Sequence, residues 1–156
     1  MNKWPRLALA GGGLISADQV TKLAAFHWLG PGSNVQIIPG FFDLTLGTNT
    51  GVAFGLMRGA NSSFRVFILA GITLLVLALV LWLIYITKEE KRLLLWGLSL
   101  VSGGALGNLA DRVRLGAVID FLDFYIGSAH WPAFNLADAG VSVGTALILI
   151  ALWLER

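Results

Sequence analysis

Residues 64–86 read FRVFILAGITLLVLALVLWLIYI, and Arg65 is their only charged member. A helix needs about 20 apolar residues to cross the hydrocarbon core of a bilayer, and this run supplies them. The whole chain of 156 residues is 56% hydrophobic and 13% charged, with a mean hydropathy of +0.78. Soluble domains carry about 25% charged residues. The sequence therefore predicts a polytopic membrane protein that forms one domain over residues 1–156.

Three further apolar stretches have the length of a membrane span. With residues 64–86 they give four predicted transmembrane helices, at about Leu7–Phe26, Phe64–Ile86, Leu93–Leu109 and Phe134–Leu154. Lys3 and Arg6 before the first stretch are typical of a signal peptide, but Ile15-Ser16-Ala17 is a poor cleavage site. The apolar pattern also resumes at Val20, so we expect an uncleaved first span.

The connection between the first two spans predicts a small β-structure. It contains Val35-Gln36-Ile37-Ile38 and Phe41-Phe42-Asp43-Leu44-Thr45-Leu46, separated by Pro39-Gly40. Alternating side chains around a Pro-Gly turn are typical of a β-hairpin. Residues 113–133 are mixed polar and aromatic, and we expect them to lie along the membrane surface. The predicted fold is therefore an all-α polytopic membrane protein with a small β-structure between its first and second helices.

The basic residues predict the sidedness of the chain. In the four-span arrangement, one side holds Lys3, Arg6, Lys88, Lys91, Arg92 and Arg156, and the other holds Arg58, Arg65, Arg112 and Arg114. Cytoplasmic loops carry the excess of Lys and Arg, so both termini are predicted to be cytoplasmic and the β-structure extracytoplasmic. The six tryptophans fall near predicted span ends, where an aromatic belt is expected.

Composition also excludes several classes of function. The chain has no cysteine, which removes disulfides, thiolate catalysis and cysteine metal sites. His27 and His130 are its only imidazoles, so a zinc enzyme is not expected. The net charge of +2 is too small to indicate a nucleic-acid partner.

Aspartates in or near the predicted spans are the candidates for chemistry, because a charged Asp at the bilayer centre costs about 2.5–3.5 kcal/mol or more. They are Asp18, Asp111, Asp120, Asp123 and Asp138. Two carboxylates within hydrogen-bond range cannot both ionise easily, so one pKa rises and the pair shares a proton. Such a pair can activate water and protonate a scissile carbonyl, as in aspartic proteases. The spacing alone does not say which two aspartates meet.

Other interpretations apply to the same residues. Asp18 and Lys22 are four apart on one helix face, which favours a structural ion pair over a direct chemical role. Asp138 starts the fourth helix, where an acid meets the helix dipole favourably. Arg112 either anchors a helix end or holds a carboxylate or a substrate carbonyl. The small residues from Gly103 to Gly107 favour close helix contact.

Five phrases together resemble the lipoprotein signal peptidases, or type II signal peptidases, which are bacterial membrane aspartic proteases. The phrases are Asp18-Gln-Val-Thr-Lys22, Asn49-Thr-Gly51-Val-Ala53-Phe54, Gly103-Gly-Ala-Leu-Gly-Asn108-Leu-Ala-Asp111-Arg112, Val118-Ile-Asp120-Phe121 and Phe134-Asn135-Leu-Ala-Asp138. Each phrase is weak alone, but their order over nearly the whole chain is highly specific. Thr48 and Val52 depart from the usual pattern, which bears on substrate fit and not on chemistry.

The resemblance implies a role for each of these phrases. It implies that Asp120 and Asp138 are the catalytic dyad, that Asn49, Asn108, Arg112 and Asn135 line the substrate site, that Asp18 and Lys22 give structural support, and that Asp123 lies outside the dyad. It also implies an extracytoplasmic β-cradle built from the first connection. The implied substrate is a prolipoprotein that carries a diacylglyceryl group on a cysteine and is cut just before that cysteine.

The expected setting is the bacterial cytoplasmic (inner) membrane, with the active site at its extracytoplasmic face. We expect no metal or organic cofactor, no nucleic-acid partner, and activity as a monomer in the phospholipid bilayer. Two other classes compete with a peptidase. A small transporter would show internal repeats and a site at the membrane midplane, and no repeat is visible. A scaffold would use the aspartates only to anchor helix ends.

Overall fold

The computed structural model describes residues 2–30, 32–51 and 62–155. The elements in chain order are α1 (Lys3–Arg6), a π-helix (Leu7–Gly12), α2 (Gly13–Trp28), β1 (Asn34–Ile38), β2 (Phe42–Asn49), α3 (Ser62–Ile86), α4 (Arg92–Leu115), β3 (Val118–Ile126), β4 (Ala129–His130) and α5 (Leu136–Leu154). The fold is mostly helical, with one small antiparallel sheet.

Within these ranges, three helices are long and apolar enough to cross a membrane, and they are α3, α4 and α5. The first predicted span falls on a helical run from Lys3 to Trp28 that is divided by the π-helix into two α-helical parts. Helix α4 continues to Leu115, beyond the predicted end at Leu109. It ends where Gly116 takes a φ of 74° and its N–H donates to the Arg112 carbonyl, as in a left-handed C-cap.

Helix α4 lies at the centre of the helices, and glycines let its neighbours approach closely. A Cβ atom at Gly103 would lie 2.6 Å from the Gly11 carbonyl oxygen in the π-helix, and one at Gly104 would collide with the Ala137 carbonyl of α5. The predicted close contact at the small residues of this helix is therefore confirmed. Helix α3 packs against α4 through Val80 and Ile84, which form a buried cluster with Leu95 and Leu98.

The sheet has the strand order β1-β2-β3-β4, with antiparallel pairs throughout. The predicted hairpin of β1 and β2 is confirmed, with Gln36 opposite Asp43. Residues 113–133, which were expected to lie along the membrane surface, supply β3 and β4, and these two strands were not predicted. Residues 118–126 are mostly β-branched or aromatic, which favours a strand. Half of the strands thus come from outside the first connection.

Two local features fix the position of β3. Strand β2 carries one extra residue between Leu44 and Gly47, and Gly47 then lies opposite Asp120. Such a bulge twists a strand and re-aims its side chains. The Phe134 carbonyl oxygen accepts hydrogen bonds from the N–H groups of Phe121 and Leu122, at 3.0 and 2.9 Å. These two hydrogen bonds hold β3 against the start of α5.

Candidate active site

Asn135 joins the two aspartates of the predicted dyad. Its Nδ2 donates to Asp120 Oδ1 at 2.7 Å, and its Oδ1 accepts from the backbone N–H of Asp138 at 2.9 Å. The Asn135 N–H in turn donates to Asp138 Oδ2 at 3.3 Å, which completes a capping box at the start of α5. Because one buried asparagine contacts both acids, the start of β3 and the start of α5 place the two carboxyl groups at a common site.

Asn108 on α4 extends this contact to the rest of the molecule. Its Nδ2 donates to Asp138 Oδ1 at 2.8 Å. Its Oδ1 accepts from Lys22 Nζ at 3.0 Å and from Asn135 Nδ2 at 3.2 Å. With both amide atoms bound, the Asn108 side chain is fixed in one orientation, and it holds Asp138 from the side opposite to the helix cap.

Asp120 is held in a setting that disfavours its charged form. It is 4% exposed, and this burial raises its pKa to about 6. Hydrogen bonds from Asn49 and Asn135 act against that rise, whereas the nearby charge of Asp138 adds to it. Asp120 therefore takes up a proton far more readily than an ordinary aspartate does, as one member of an acid–base pair must.

Lys22 lies in a buried cluster with two carboxylates and not with one. Its Nζ is 2.8 Å from Asp18 Oδ2 and 2.8 Å from Asp111 Oδ2. The cluster also holds the backbone beside each acid of the dyad. Asp18 Oδ1 accepts the N–H of Ala137 at 2.9 Å, and Asp111 Oδ2 accepts the N–H of Ile119 at 3.3 Å. These two residues immediately precede Asp138 and Asp120.

Arg112 and Asn49 border the acid pair. The half-buried Arg112 lies near the charges of three aspartates. Its strongest electrostatic attraction is to Asp138, followed by those to Asp120 and Asp111. The exposed Asn49 ends β2, and its Oδ1 accepts the N–H of Gly51 at 2.9 Å. The other residues of that phrase, Val52 to Phe54, lie outside the described residues.

Asp123 is separated from this site. Its Oδ2 lies 2.9 Å from His130 Nδ1. In the sheet, Asp123 of β3 lies opposite Asp43 of β2. The Asp43 carboxylate accepts hydrogen bonds from the Asn34 side chain at 2.8 Å and from the Tyr125 hydroxyl at 3.0 Å. In the part of the chain that the structure describes, no three His, Asp or Glu side chains form a group suited to a metal ion.

A groove of about 380 Å³ opens beside Asp138. It is lined by Trp131, Phe134, Asp138, Ala139, Ser142 and Val143. Trp131 and Val143 are more than half exposed, so the groove leads sideways from the carboxylate along the outer face of α5. An apolar groove that ends at an acid suits a substrate with both lipid and peptide parts.

Two features were not predicted from the sequence: the ion pair of Asp111 with Lys22, and the hydrogen bonds from Gln19 to Asp18 and Asp111. Gln19 Nε2 donates to Asp111 Oδ1 at 3.0 Å and to Asp18 Oδ2 at 3.3 Å, so it bridges the two acids. The spacing of four between Asp18 and Lys22 signals a contact within one helix. No local spacing predicts that Lys22 also meets Asp111, which lies 89 residues further along the chain.

Comparison with known proteins identifies relatives over almost the whole chain. The profile of a family described as "Signal peptidase (SPase) II" matches residues 12–154. A "Lipoprotein signal peptidase" of Desulforapulum autotrophicum is 42% identical over 144 residues, which cover 92% of this chain and 89% of that one. A protein of the same name from Oleidesulfovibrio alaskensis is 43% identical over 147 residues, with 92% and 91% coverage.

The fold has a solved counterpart as well. A bacterial membrane enzyme determined by the in meso method at 1.9 Å resolution superposes with a TM-score of 0.83 at 32% sequence identity. The superposition covers 94% of this chain and 91% of that one.

Proposed function

The chain belongs to the signal peptidase II family, and we propose that it removes signal peptides from bacterial lipoproteins with Asp120 and Asp138 as its catalytic pair. It is a bacterial membrane protein and a peptidase. The observation that carries the assignment of the pair is the contact of Asn135 with both acids. The transporter and scaffold interpretations are set aside in favour of the peptidase.

The two acids divide the work as an aspartic protease requires. Asp138 accepts N–H donors at both carboxyl oxygens, as a charged carboxylate does, and it takes a proton from the attacking water. The hydroxyl oxygen then bonds to the scissile carbonyl carbon. Asp120, with its raised pKa, carries the shared proton and gives it to the carbonyl oxygen. Collapse of the tetrahedral intermediate breaks the C–N bond. The departing amine takes up the proton from Asp138, and one hydroxyl group of the intermediate returns its proton to Asp120 as the carbonyl re-forms.

The neighbouring residues orient the substrate. Asn49 and Arg112 border the acids and are the groups that would hold peptide carbonyls of the substrate. Asn108 and Asn135 keep the carboxyl groups in place. Lys22 donates to Asn108, and Asp18 accepts the backbone N–H of Ala137, so both support the site structurally. The groove beside Asp138 leaves room for the diacylglyceryl chains on the cysteine that follows the cleaved bond.

The same proposal places the chain in the inner membrane. The run of α1, the π-helix and α2 would form a first span before α3, α4 and α5, which gives four. The distribution of Lys and Arg supports cytoplasmic termini, with the sheet and the acid pair at the extracytoplasmic face. One membrane-embedded domain, acting as a monomer and without a metal or organic cofactor, would carry out the reaction.

Cleavage of a purified precursor tests the assignment. The wild type should cut a diacylglyceryl-modified lipoprotein precursor before its cysteine and leave the unmodified precursor intact. Asp120→Asn and Asp138→Asn should each abolish cleavage, because a pair that shares a proton needs both members. Asp123→Asn is the matched control on the same strand and should remain active. Substantial turnover by either of the first two variants would refute the assignment of the pair.

A further inference from the structure

A small cavity lies between α2 and α4, on the side of the ion cluster away from the groove at Asp138. Its volume is about 110 Å³, and it is lined by Gln19, Lys22, Leu23, Phe26, Asp111, Arg114, Leu115 and Ile119. This volume corresponds to roughly three or four water molecules at about 30 Å³ each. It admits a headgroup-sized polar group and is too small for an acyl chain.

Arg114 stands at the mouth of this cavity with most of its donors free for a ligand. It is exposed, and in the described part of the chain it makes one hydrogen bond, from Nη1 to Gln19 Oε1 at 3.1 Å. Gln19 is itself held by Asp111 through its Nε2 at 3.0 Å. The guanidinium is therefore pre-oriented by a half-buried partner, and its other N–H groups remain available to a ligand.

The surroundings of Arg114 match the border of a bilayer. Arg114 is one residue from the end of α4, a helix of membrane-spanning length, and lipid phosphates lie at such helix ends. Leu23, Phe26 and Leu115 beside the cavity are each more than half exposed. These exposed apolar side chains offer a path for acyl chains next to a fixed cation.

We propose that Arg114 and this cavity bind a membrane phospholipid, with the phosphate on the Arg114 guanidinium and an acyl chain along Leu23, Phe26 and Leu115. A guanidinium meets two phosphate oxygens at once, which makes the contact stronger than that of a point charge. The hydrogen-bond partner of Arg114 in the described part of the chain is the neutral Gln19, and a lipid phosphate would add the anion that the guanidinium lacks there. The inference does not rest on the proposed peptidase activity.

Lipid retention measures this site directly. The wild-type protein in detergent would be titrated with dioleoylphosphatidylglycerol, and bound lipids would be counted by native mass spectrometry with thermal stability followed in parallel. We expect one retained phospholipid and a higher Tm. Dioleoylglycerol has the same chains and no phosphate, and the groove at Asp138 can take it, so its effect should be the same in the wild type and in Arg114→Gln. Inorganic phosphate alone should not raise the Tm.

Two variants on the same helix locate the site. Arg114→Gln should weaken phospholipid binding by about tenfold or more, the effect of losing a charge-assisted contact. Arg92→Gln removes an exposed arginine at the opposite end of α4 and should leave binding unchanged. If Arg114→Gln does not fold, Arg114→Lys keeps the charge, loses the planar fork and should bind with intermediate affinity.

Several outcomes would overturn the proposal. Unchanged lipid retention in Arg114→Gln, or equal losses in Arg114→Gln and Arg92→Gln, would show that no site exists at this residue. A stabilisation by dioleoylglycerol that Arg114→Gln abolishes would remove the phosphate from the recognition. Equal stabilisation by inorganic phosphate would make the site one for a free anion and not for a lipid.

Discussion

Replacing Lys22 with methionine removes the ammonium group that neutralises two buried carboxylates, those of Asp18 and Asp111, each 2.8 Å away. The side chains of Lys22 and Asp18 are 2% and 0% exposed, so water cannot take the place of the cation. Breaking a buried ion pair by removing one partner costs about 3–5 kcal/mol. Gln19 Nε2 still donates to both remaining acids, but a neutral amide does not replace the lost positive charge.

The loss of the buried cation sets the expected size of the effect. We expect Lys22→Met to lower the free energy of unfolding by about 3–5 kcal/mol, because two carboxylates stay buried without their shared partner.

A set of combined variants separates a two-member pair from a three-member cluster. If Lys22 paired with Asp18 alone, adding Asp18→Asn to Lys22→Met would restore most of the stability. With Asp111 as a second partner, that double variant should recover only part, and the triple variant with Asp111→Asn should recover most. Asparagine keeps an oxygen for the N–H groups of Ala137 and Ile119.

Equilibrium unfolding in mixed micelles gives the required free energies. Lys91→Met is the matched control, because it removes a lysine from the exposed Lys91–Glu155 ion pair and should cost at most about 1 kcal/mol. A double variant as stable as the triple would exclude Asp111 as a partner. Strictly additive losses would refute the coupling of these charges altogether.

Further measurements test other parts of the structure. Asp120→Asn should raise the stability at pH 7.5 by up to about 2 kcal/mol, because the raised pKa of about 6 means that ionisation opposes folding. Thermal unfolding should show this gain fading as the pH falls from about 6 towards about 4. Gly104→Ala should cost about 1–3 kcal/mol, since its Cβ meets the backbone of α5, whereas Gly71→Ala, with open space around it, should be neutral or stabilising in the same unfolding assay. Reporter fusions after Lys91 should score cytoplasmic, and fusions near Asn61, which lies outside the described residues, should score external; the reverse pattern would contradict the proposed orientation.

Long apolar runs and local spacings made most of the fold predictable. The stretch from Phe64 to Ile86 is a helix as predicted, and the Pro39-Gly40 turn joins β1 and β2 as predicted. Strand β3 was missed because mixed polar and aromatic residues are typical both of a surface segment and of a strand with one buried face. Its pairing with β2 depends on residues about 75 positions away, which no local pattern contains.

The candidate site was likewise predictable from the sequence only in part. Asp120, Asp138 and Asn135 could be named because they fall in phrases that resemble a known family, and physical reasoning alone left the pairing open. The capping box of Asn135 and Asp138 lies within four residues and is readable from their spacing. The contacts of Lys22 with Asp111 and Asn108 cross between helices, so only the folded structure reveals them.

The hydrogen bond from Ala137 to Asp18 spans 119 positions, and this separation has a consequence for biosynthesis. While the ribosome is still translating, α2 is made long before α5. In the proposed four-span arrangement, Lys22 would already neutralise Asp18 within the same helix during that interval, so the isolated segment would enter the bilayer without a bare charge. Asp111 would join after α4 has emerged, and the backbone beside Asp138 would be secured only when α5 docks. With Asp120 and Asp138 as the proposed catalytic pair, the nascent protein would be inert until its two distant halves meet.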